Sequence, residues 1–424
     1  MTFVVISLII MIVAAIPIAY AIGMSATIGV MLTNNIPTVV VPQRMFTMLD
    51  SFSLLAIPFF ILAGNLMDRG GISKKLVNLA SSMVGHIRGG LGMVAVISCM
   101  LFGAISGSGA AATAAIGSIL VPAMKRENYD VEFSGAISSV SGPLGIIIPP
   151  SVVMVIYATT ANVSVGDMFL AGYIPGIIIS IGLIFTVYFI AIKNDYPAGE
   201  KPSLKKFIIS LKESIWALIM IVIIMGGILS GLFTATEAAC VSVVYSLIVG
   251  LFIYKDLKIS DLPGIFYESS LTTAGVMFCV ATTNILAWFM THQQIPITVS
   301  RLLTSSISSK FVLLLMINII FLILGTILDS TPAIILSVPI LLPIAQSVGV
   351  DPVHFGMIAT VNLAIGQSTP PVGLTLFVGS SIAGVKLHDM MKYLIPFWIA
   401  SIVVLMLITY IPEISMFLPG LVGK

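Results

Sequence analysis

Residues 102–118 read FGAISGSGAAATAAIGS. They follow the apolar run LGMVAVISCML (91–101) and lead into another, ILVPAM (119–124). The four residues Ser106-Gly107-Ser108-Gly109 therefore fall in the middle of a strongly apolar segment. They expose backbone, and exposed backbone is costly in lipid unless it is buried in protein or lines a cavity. The whole segment 91–124 is too long for one crossing of a bilayer. A helical hairpin that enters the membrane, turns at Ser-Gly-Ser-Gly and returns accounts for both facts. A second segment, 310–346, is likewise too long and breaks at Asp329-Ser330-Thr331-Pro332. It predicts a second hairpin.

Composition sets the wider frame. Of 424 residues, 58% are hydrophobic and 8% charged, and the mean hydropathy is +1.15. Soluble domains carry about 25% charged residues. Apolar runs of membrane-spanning length recur from end to end, as expected of a polytopic helical membrane protein. The short alternating segments of a β-barrel are absent, and so is a secretory signal pattern. Cys99, Cys240 and Cys279 lie in apolar stretches and read as small packing residues. The net charge of +2 and the lack of a basic, aromatic-interleaved patch give no sign of nucleic-acid binding.

Ten further spans are expected near 3–20, 22–33, 51–68, 131–161, 169–192, 213–232, 235–254, 263–290, 354–384 and 392–411. With the N-terminus outside and both hairpins re-entrant, the inner loops collect 15 of the 19 Lys and Arg residues. That bias is the positive-inside pattern. Counting either hairpin as a single span would flip every later loop. The loop 193–212, with Pro197 and Pro202, divides the chain in half. Trp216, Trp288 and Trp398 lie near span ends and read as interface markers.

The halves repeat. Gly103 to Pro149 is a step of 46 residues, and Gly325 to Pro370 a step of 45. VEFSGAISSVSGPLGIIIPPS (131–151) pairs with VHFGMIATVNLAIGQSTPPV (353–372). Phe133 matches Phe355, Gly145 matches Gly366, and Pro149-Pro150 matches Pro370-Pro371. Five spans and one hairpin per half make the second half start on the opposite side from the first. Such inverted-topology repeats mark secondary transporters. Each half thus has a hairpin tip and a helix broken by Gly and Pro-Pro. Proline removes a helical hydrogen bond and clashes with the preceding turn, so two in a row unwind a short length. Freed carbonyls facing a cavity suit a small hard cation, and half-helix N-termini suit an anion. The plainer reading of any single Gly or Pro is a kink or a close helix contact. Four interruptions at matched positions favour a site.

The motifs GAISGSGAAATAAIGS, SGPLGIIIPPS, GLFTATEAA and LDSTPAIILSVPILLPI resemble the large membrane subunit of tripartite ATP-independent periplasmic (TRAP) transporters, the DctM type, over essentially the whole chain. The resemblance implies an elevator-type, ion-transporter-superfamily-like fold in the bacterial inner membrane, with both termini periplasmic. A transport domain of hairpins and broken helices (91–168 and 310–391) would slide against a scaffold (1–68, 169–290 and 392–424). The amphipathic segments 69–90 and 291–309 would be the arms between them. It also implies sodium coupling, no other cofactor and no ATPase. Its partners would be a separate small four-helix membrane subunit and a periplasmic substrate-binding protein. Carried over residue by residue, the first sodium site falls on Gly103, Ser106, Gly145, Ile148 and Pro149, and the second on Gly325, Asp329, Gly366 and Thr369. The substrate, an organic acid of the sialic-acid type or otherwise a C4-dicarboxylate, would lie between Ser108, Ser151 and Asp329. An intramembrane carboxylate such as Asp329 is a functional hypothesis by default; the bland alternative is a cap on the return helix.

Other readings are weaker. Thr234 and Glu237 have capping-box spacing. His86, His292, His354 and His388 sit at loops or span ends, which argues against a buried proton relay. A serine hydrolase needs a base within hydrogen-bond reach, and no span holds a His. No phosphate-binding loop or metal-ligand cluster is present, so an enzyme is not expected. A channel would not need two hairpins closing on one site. A stand-alone ion-coupled carboxylate transporter, working without a binding protein, is the nearer alternative.

Overall fold

The computed structural model describes residues 2–14, 16–33, 36–199, 201–295 and 309–422. Among them every regular element is helical, apart from an isolated bridge between Arg88 and Ala198. Among the described residues, eight helices are long and apolar enough to cross a membrane, or nine if one bent pair counts as a single span. Large apolar side chains such as Phe185, Phe189, Ile399 and Val403 face outward, which suits a lipid solvent. Helices start where the sequence offers a side-chain acceptor for the first free N–H groups. Ser164, Ser203, Thr234 and Asp351 each cap the helix that follows.

Both hairpins are present. In the first, Gly90–Ser106 returns as Gly109–Arg126. Gly107 makes the turn with φ +63° and donates its N–H to Gly103 O at 2.9 Å. That left-handed conformation is the helix-ending geometry glycine adopts freely. In the second, Lys310–Ile327 returns as Ser330–Ser347 through extended Leu328 and Asp329. Both broken helices are present as well. Val131–Ser141 and Leu144–Ile147 are followed by a break at 148–151, and Val152–Ala161 leaves it at a 44° bend. Pro352–Gln367 is followed by a break at 368–373 and then Leu374–Ala383. Pro149-Pro150 and Pro370-Pro371 are both cis.

Several expected spans shift. The one read over 3–20 ends at Val13, and the next helix begins at Ile18, because Pro17 sits at its N-cap. Proline has no N–H to lose there and cannot continue the preceding helix. Val40–Leu49 and Glu413–Val422 are helices that the apolar-run reading passed over. The span read over 213–232 begins at Leu204, since Ser203 caps it and its first turns are amphipathic rather than apolar. Trp398 marks no helix end. It lies mid-way along Leu387–Tyr410, and its indole donates to Ser368 O at 3.0 Å. The first arm forms as Ile72–Val84. The second, read over 291–309, lies outside the described residues except for 291–295 and 309.

Packing sorts the helices into two groups. Ile18–Leu32, Val40–Leu49, Ala56–Arg69, Leu204–Leu229, Ala235–Ile248 and Leu262–His292 pack mainly among themselves, with Leu262–His292 also lying on Ser330–Ser347 and Ala56–Arg69 on Gly90–Ser106. The hairpins and broken helices pack together, joined by Val165–Lys193, Leu387–Tyr410 and Glu413–Val422. The sequence reading had placed 169–290 and 392–424 with the outer helices. Val165–Lys193 and Leu387–Tyr410 instead pack on each other and on both broken helices. The arm Ile72–Val84 touches both groups, through Gly90–Ser106 on one side and Leu204–Leu229 on the other.

Candidate functional site

The four interruptions meet at one cavity of about 340 Å³. Hairpin one contributes Ser106 through Ala111, and the first broken helix Ile146, Val152 and Val153. Asp329 and Thr331 come from hairpin two, Gln367 and Leu374 from the second broken helix. The N-termini of four half-helices, starting at Gly109, Val152, Ser330 and Leu374, thus converge. The remaining wall is Ile61, Gly64 and Asn65 of Ala56–Arg69 with Thr272 and Val276 of Leu262–His292. Asn65 ties these two helices by donating to Ser269 Oγ at 2.8 Å. No Lys, Arg or His is among the described lining residues.

Glycines bring the elements this close. A Cβ on Gly103 would stand 2.4 Å from Gly145 Cα, and one on Gly366 would stand 2.5 Å from the Gly325 carbonyl carbon. The hairpin tip and the broken helix of each repeat therefore touch backbone to backbone, through the same pair of matched positions. This contact explains the four glycines without a ligand and places their carbonyl-bearing turns side by side.

The remaining predicted residues divide. Ser106, Ser108 and Asp329 line the cavity. Ser106 is 4% exposed, and its Oγ is buried with no hydrogen-bond partner among the described residues. Such an orphaned hydroxyl, next to the Gly103–Gly145 contact, fits a hard-cation ligand set of hydroxyl and carbonyl oxygens. Ser108 is the N-cap of Gly109–Arg126 and accepts the Ala111 N–H at 3.4 Å. Ser151 is fully buried behind the lining. Its hydroxyl donates to Ile146 O at 2.7 Å and accepts the Met154 N–H at 3.4 Å. Ile148 and Pro149 form the first break and pack toward Val165–Lys193, where Cβ atoms on Gly176 and Gly172 would strike them. Thr369, in the second break, donates to Ile365 O at 2.7 Å.

Asp329 stands at the N-cap of Ser330–Ser347 and is exposed to the cavity. Its Oδ1 accepts from Gln367 Nε2 at 3.1 Å, and the same amide reaches Ser330 Oγ at 3.1 Å. Gln367 is 4% exposed and its Oε1 has no partner among the described residues. The sequence reading missed Gln367, Asn65 and Thr272. The repeat held a signal for the first. Gly145 matches Gly366, so Gln367 matches Ile146, and both line the cavity. Glu237 has the structural role read for it. Thr234 N–H donates to its Oε2 at 2.8 Å, and Glu237 N–H returns to Thr234 Oγ1 at 3.2 Å. His354, read at a span end, lies in the first turn of Pro352–Gln367 and is buried.

Re-entrant hairpins and broken helices that close on a polar cavity, within a shell of apolar helices, define a membrane permease of the secondary-transporter class. Comparison with known proteins gives the family. The model of the DctM component of tripartite ATP-independent periplasmic transporters matches residues 5–414, and the chain belongs to that family. It is 40% identical to the C4-dicarboxylate TRAP transporter large permease protein DctM of Pseudomonas aeruginosa, over 95% of this chain and 94% of that one. It is 38% identical to the sialic acid TRAP transporter large permease protein SiaM of Vibrio cholerae, over 96% of each. Among solved structures, the Alcanivorax borkumensis YdaH transporter superposes with a TM-score of 0.63 at 10% identity, over 89% of this chain and 87% of that one. That likeness concerns the fold.

Proposed function

We propose that this chain is the translocating subunit of a sodium-coupled importer of an organic acid, working by an elevator movement in the inner membrane with both termini periplasmic. The observation that carries the reading is the meeting of four half-helix N-termini, two from each repeat, at one cavity with no basic side chain among its described lining residues. With no basic side chain among the described lining residues, an anion's charge would be met by the helix ends together with the hydroxyl and amide groups of the lining. Each end is worth about 0.3–2 kcal/mol, against roughly 2.5–3.5 kcal/mol for a charge at mid-bilayer on the insertion scale. Four converging ends at about 1 kcal/mol each offset that cost. Sodium supplies the coupling charge. Ser106 with the turns at Gly103, Gly145, Ile148 and Pro149 would hold one ion. Asp329 and Thr369 with the turns at Gly325 and Gly366 would hold the other.

The packing supports a moving unit larger than the sequence reading drew. It comprises the hairpins, the broken helices, Val165–Lys193, Leu387–Tyr410 and Glu413–Val422. Ala56–Arg69 and Leu262–His292 form the fixed wall against which the cavity slides. The family's name, with its tripartite and periplasmic terms, supports two partners, a small four-helix membrane subunit and a periplasmic binding protein. The names of the relatives support an organic acid as cargo; a sialic acid is our first choice and a C4-dicarboxylate, which more of those names carry, the second. Reconstitution of the three components tests this. Uptake of labelled N-acetylneuraminate or succinate should need an inward sodium gradient. Equal uptake with choline in place of sodium would end the coupling proposal, and uptake without the binding protein would end the tripartite one.

A further inference from the structure

One side chain at the cavity of the helix breaks keeps a hydrogen-bonding capacity that its neighbours do not fill. Gln367 ends Pro352–Gln367 and lines the cavity, although it is only 4% exposed. Its Nε2 lies 3.1 Å from Asp329 Oδ1 and 3.1 Å from Ser330 Oγ. A carboxylate oxygen only accepts, so the amide nitrogen faces it. The turned-over amide would set two oxygens against each other. Both N–H groups are therefore engaged, and Oε1 is left with no partner among the described residues.

That oxygen lies against hairpin one. A Cβ on Gly109 would stand 2.8 Å from it, so any larger residue at 109 would crowd it. Gln367 thus bridges the tip of hairpin two and the start of the return helix of hairpin one. Its counterpart in the other repeat is Ile146, which also lines the cavity. The two backbones are held alike. The Ser151 hydroxyl donates to Ile146 O at 2.7 Å, and the Thr375 hydroxyl to Gln367 O at 2.9 Å. The repeats therefore differ here in the side chain alone. Repeat one presents hydrocarbon where repeat two presents an amide acceptor backed by a carboxylate. A cargo carboxylate suits the N–H groups of the helix ends. It does not suit Oε1, which needs a donor.

We propose that Gln367 is a specificity residue of this cavity. Its Oε1 accepts a hydrogen bond from a hydroxyl or N–H group that the organic acid carries beside its carboxylate. The inference rests on the reading of the cavity as the cargo site. A plain dicarboxylate such as succinate brings acceptors only and leaves Oε1 unmatched. A hydroxy acid, or an acid with hydroxyl and acylamino groups, matches it. One such bond separates two otherwise similar acids by about tenfold in affinity.

The test uses the purified full chain in detergent with sodium chloride. Its melting temperature is followed against the concentration of malate, N-acetylneuraminate and succinate, which gives an apparent dissociation constant for each. Malate differs from succinate by one hydroxyl, and N-acetylneuraminate carries both hydroxyl and amide donors. Both should bind the parent chain about tenfold or more tightly than succinate. Gln367→Met keeps the length of the side chain and removes the acceptor. It also removes the donor to Asp329, a loss that weakens all three acids alike and cancels in the ratios. Each ratio to succinate should shrink by about tenfold in this variant. Equal constants for the three acids in the parent chain would overturn the role of Gln367, and so would a preference that survives in Q367M. Either result would leave the cavity standing as the cargo site. No shift by any of the three acids in the parent chain would overturn both.

Discussion

At the scale of single residues, two effects compete at the same positions and mutations must separate them. Gly103 and Gly366 sit where a carbonyl ligand is proposed, yet a Cβ on either runs into the backbone of Gly145 or Gly325. Gly366→Ala is therefore expected to cost about 1–3 kcal/mol by overpacking, and to lower the melting temperature in sodium and in choline alike. It cannot report on an ion. Ser106→Ala can, because it removes one unpartnered hydroxyl and adds no atom. It should leave the melting temperature in choline chloride unchanged and reduce the rise that sodium chloride gives. An unreduced rise would remove Ser106 from the sodium site. Asp329→Asn keeps an acceptor for the Gln367 amide and removes only charge. Uptake should be abolished in a variant that melts like the parent, and normal uptake would move the substrate site elsewhere. The sequence carried Ser106, Ser108 and Asp329 to the cavity because each sits in a visible break of an apolar run. It left Gln367 and Asn65 unmarked because a polar residue on a helix gives no sign of which neighbour it faces.

At the scale of elements, breaks were easier to read than boundaries. Ser-Gly-Ser-Gly, Asp-Ser-Thr-Pro and the two Pro-Pro pairs that follow a Gly interrupt apolar runs, so both hairpins and both broken helices could be placed from the sequence. Helix ends depend on caps and on amphipathic first turns. The start at Ser203 and the restart after Pro17 were misjudged for that reason. One element start is held by charge. Asp130 precedes Val131–Ser141, and the hydroxyls of Tyr393 and Tyr196 both donate to its Oδ2, the latter at 2.7 Å. The Tyr393 bond, more than any other contact, holds its carboxyl below the usual value, with Tyr196 and Lys392 adding to it. A lowered native pKa gives stability that is complete above the unfolded value of about 3.9 and is lost as pH falls through the native one. Asp130→Asn should thus lower the melting temperature at pH 7, through a loss of no more than about 1 kcal/mol of stability for so exposed a group. The gap to the parent chain should narrow below about pH 4. A gap that is constant from pH 7 to pH 3.5 would mean that the ionised form carries none of it.

At the scale of the whole molecule, the two matched hairpins and broken helices were legible because a repeat is a sum over many residues, and the positive-inside bias supports the proposed orientation for the same reason. The division into two packed groups was not legible. Val165–Lys193 and Leu387–Tyr410 look like any other apolar span, and only packing shows their company. That division makes a prediction about motion. The tip of hairpin one meets the outer wall at Gly64, where a Cβ would stand 3.3 Å from Ser106 Cβ. Disulfides need a Cβ separation of about 3.5–4.5 Å, so a small adjustment lets Gly64→Cys and Ser106→Cys bond. The native Cys99, Cys240 and Cys279 are free thiols and would be replaced first. If the hairpin group slides along this wall, the oxidised double variant should bind its small subunit normally and transport nothing. Reduction should restore whatever rate the two single variants retain. A cross-linked protein that still transports would mean that hairpin and wall travel together. The cavity would then have to open by local movement of the hairpin tips, since every other described contact with Ala56–Arg69 would ride with them.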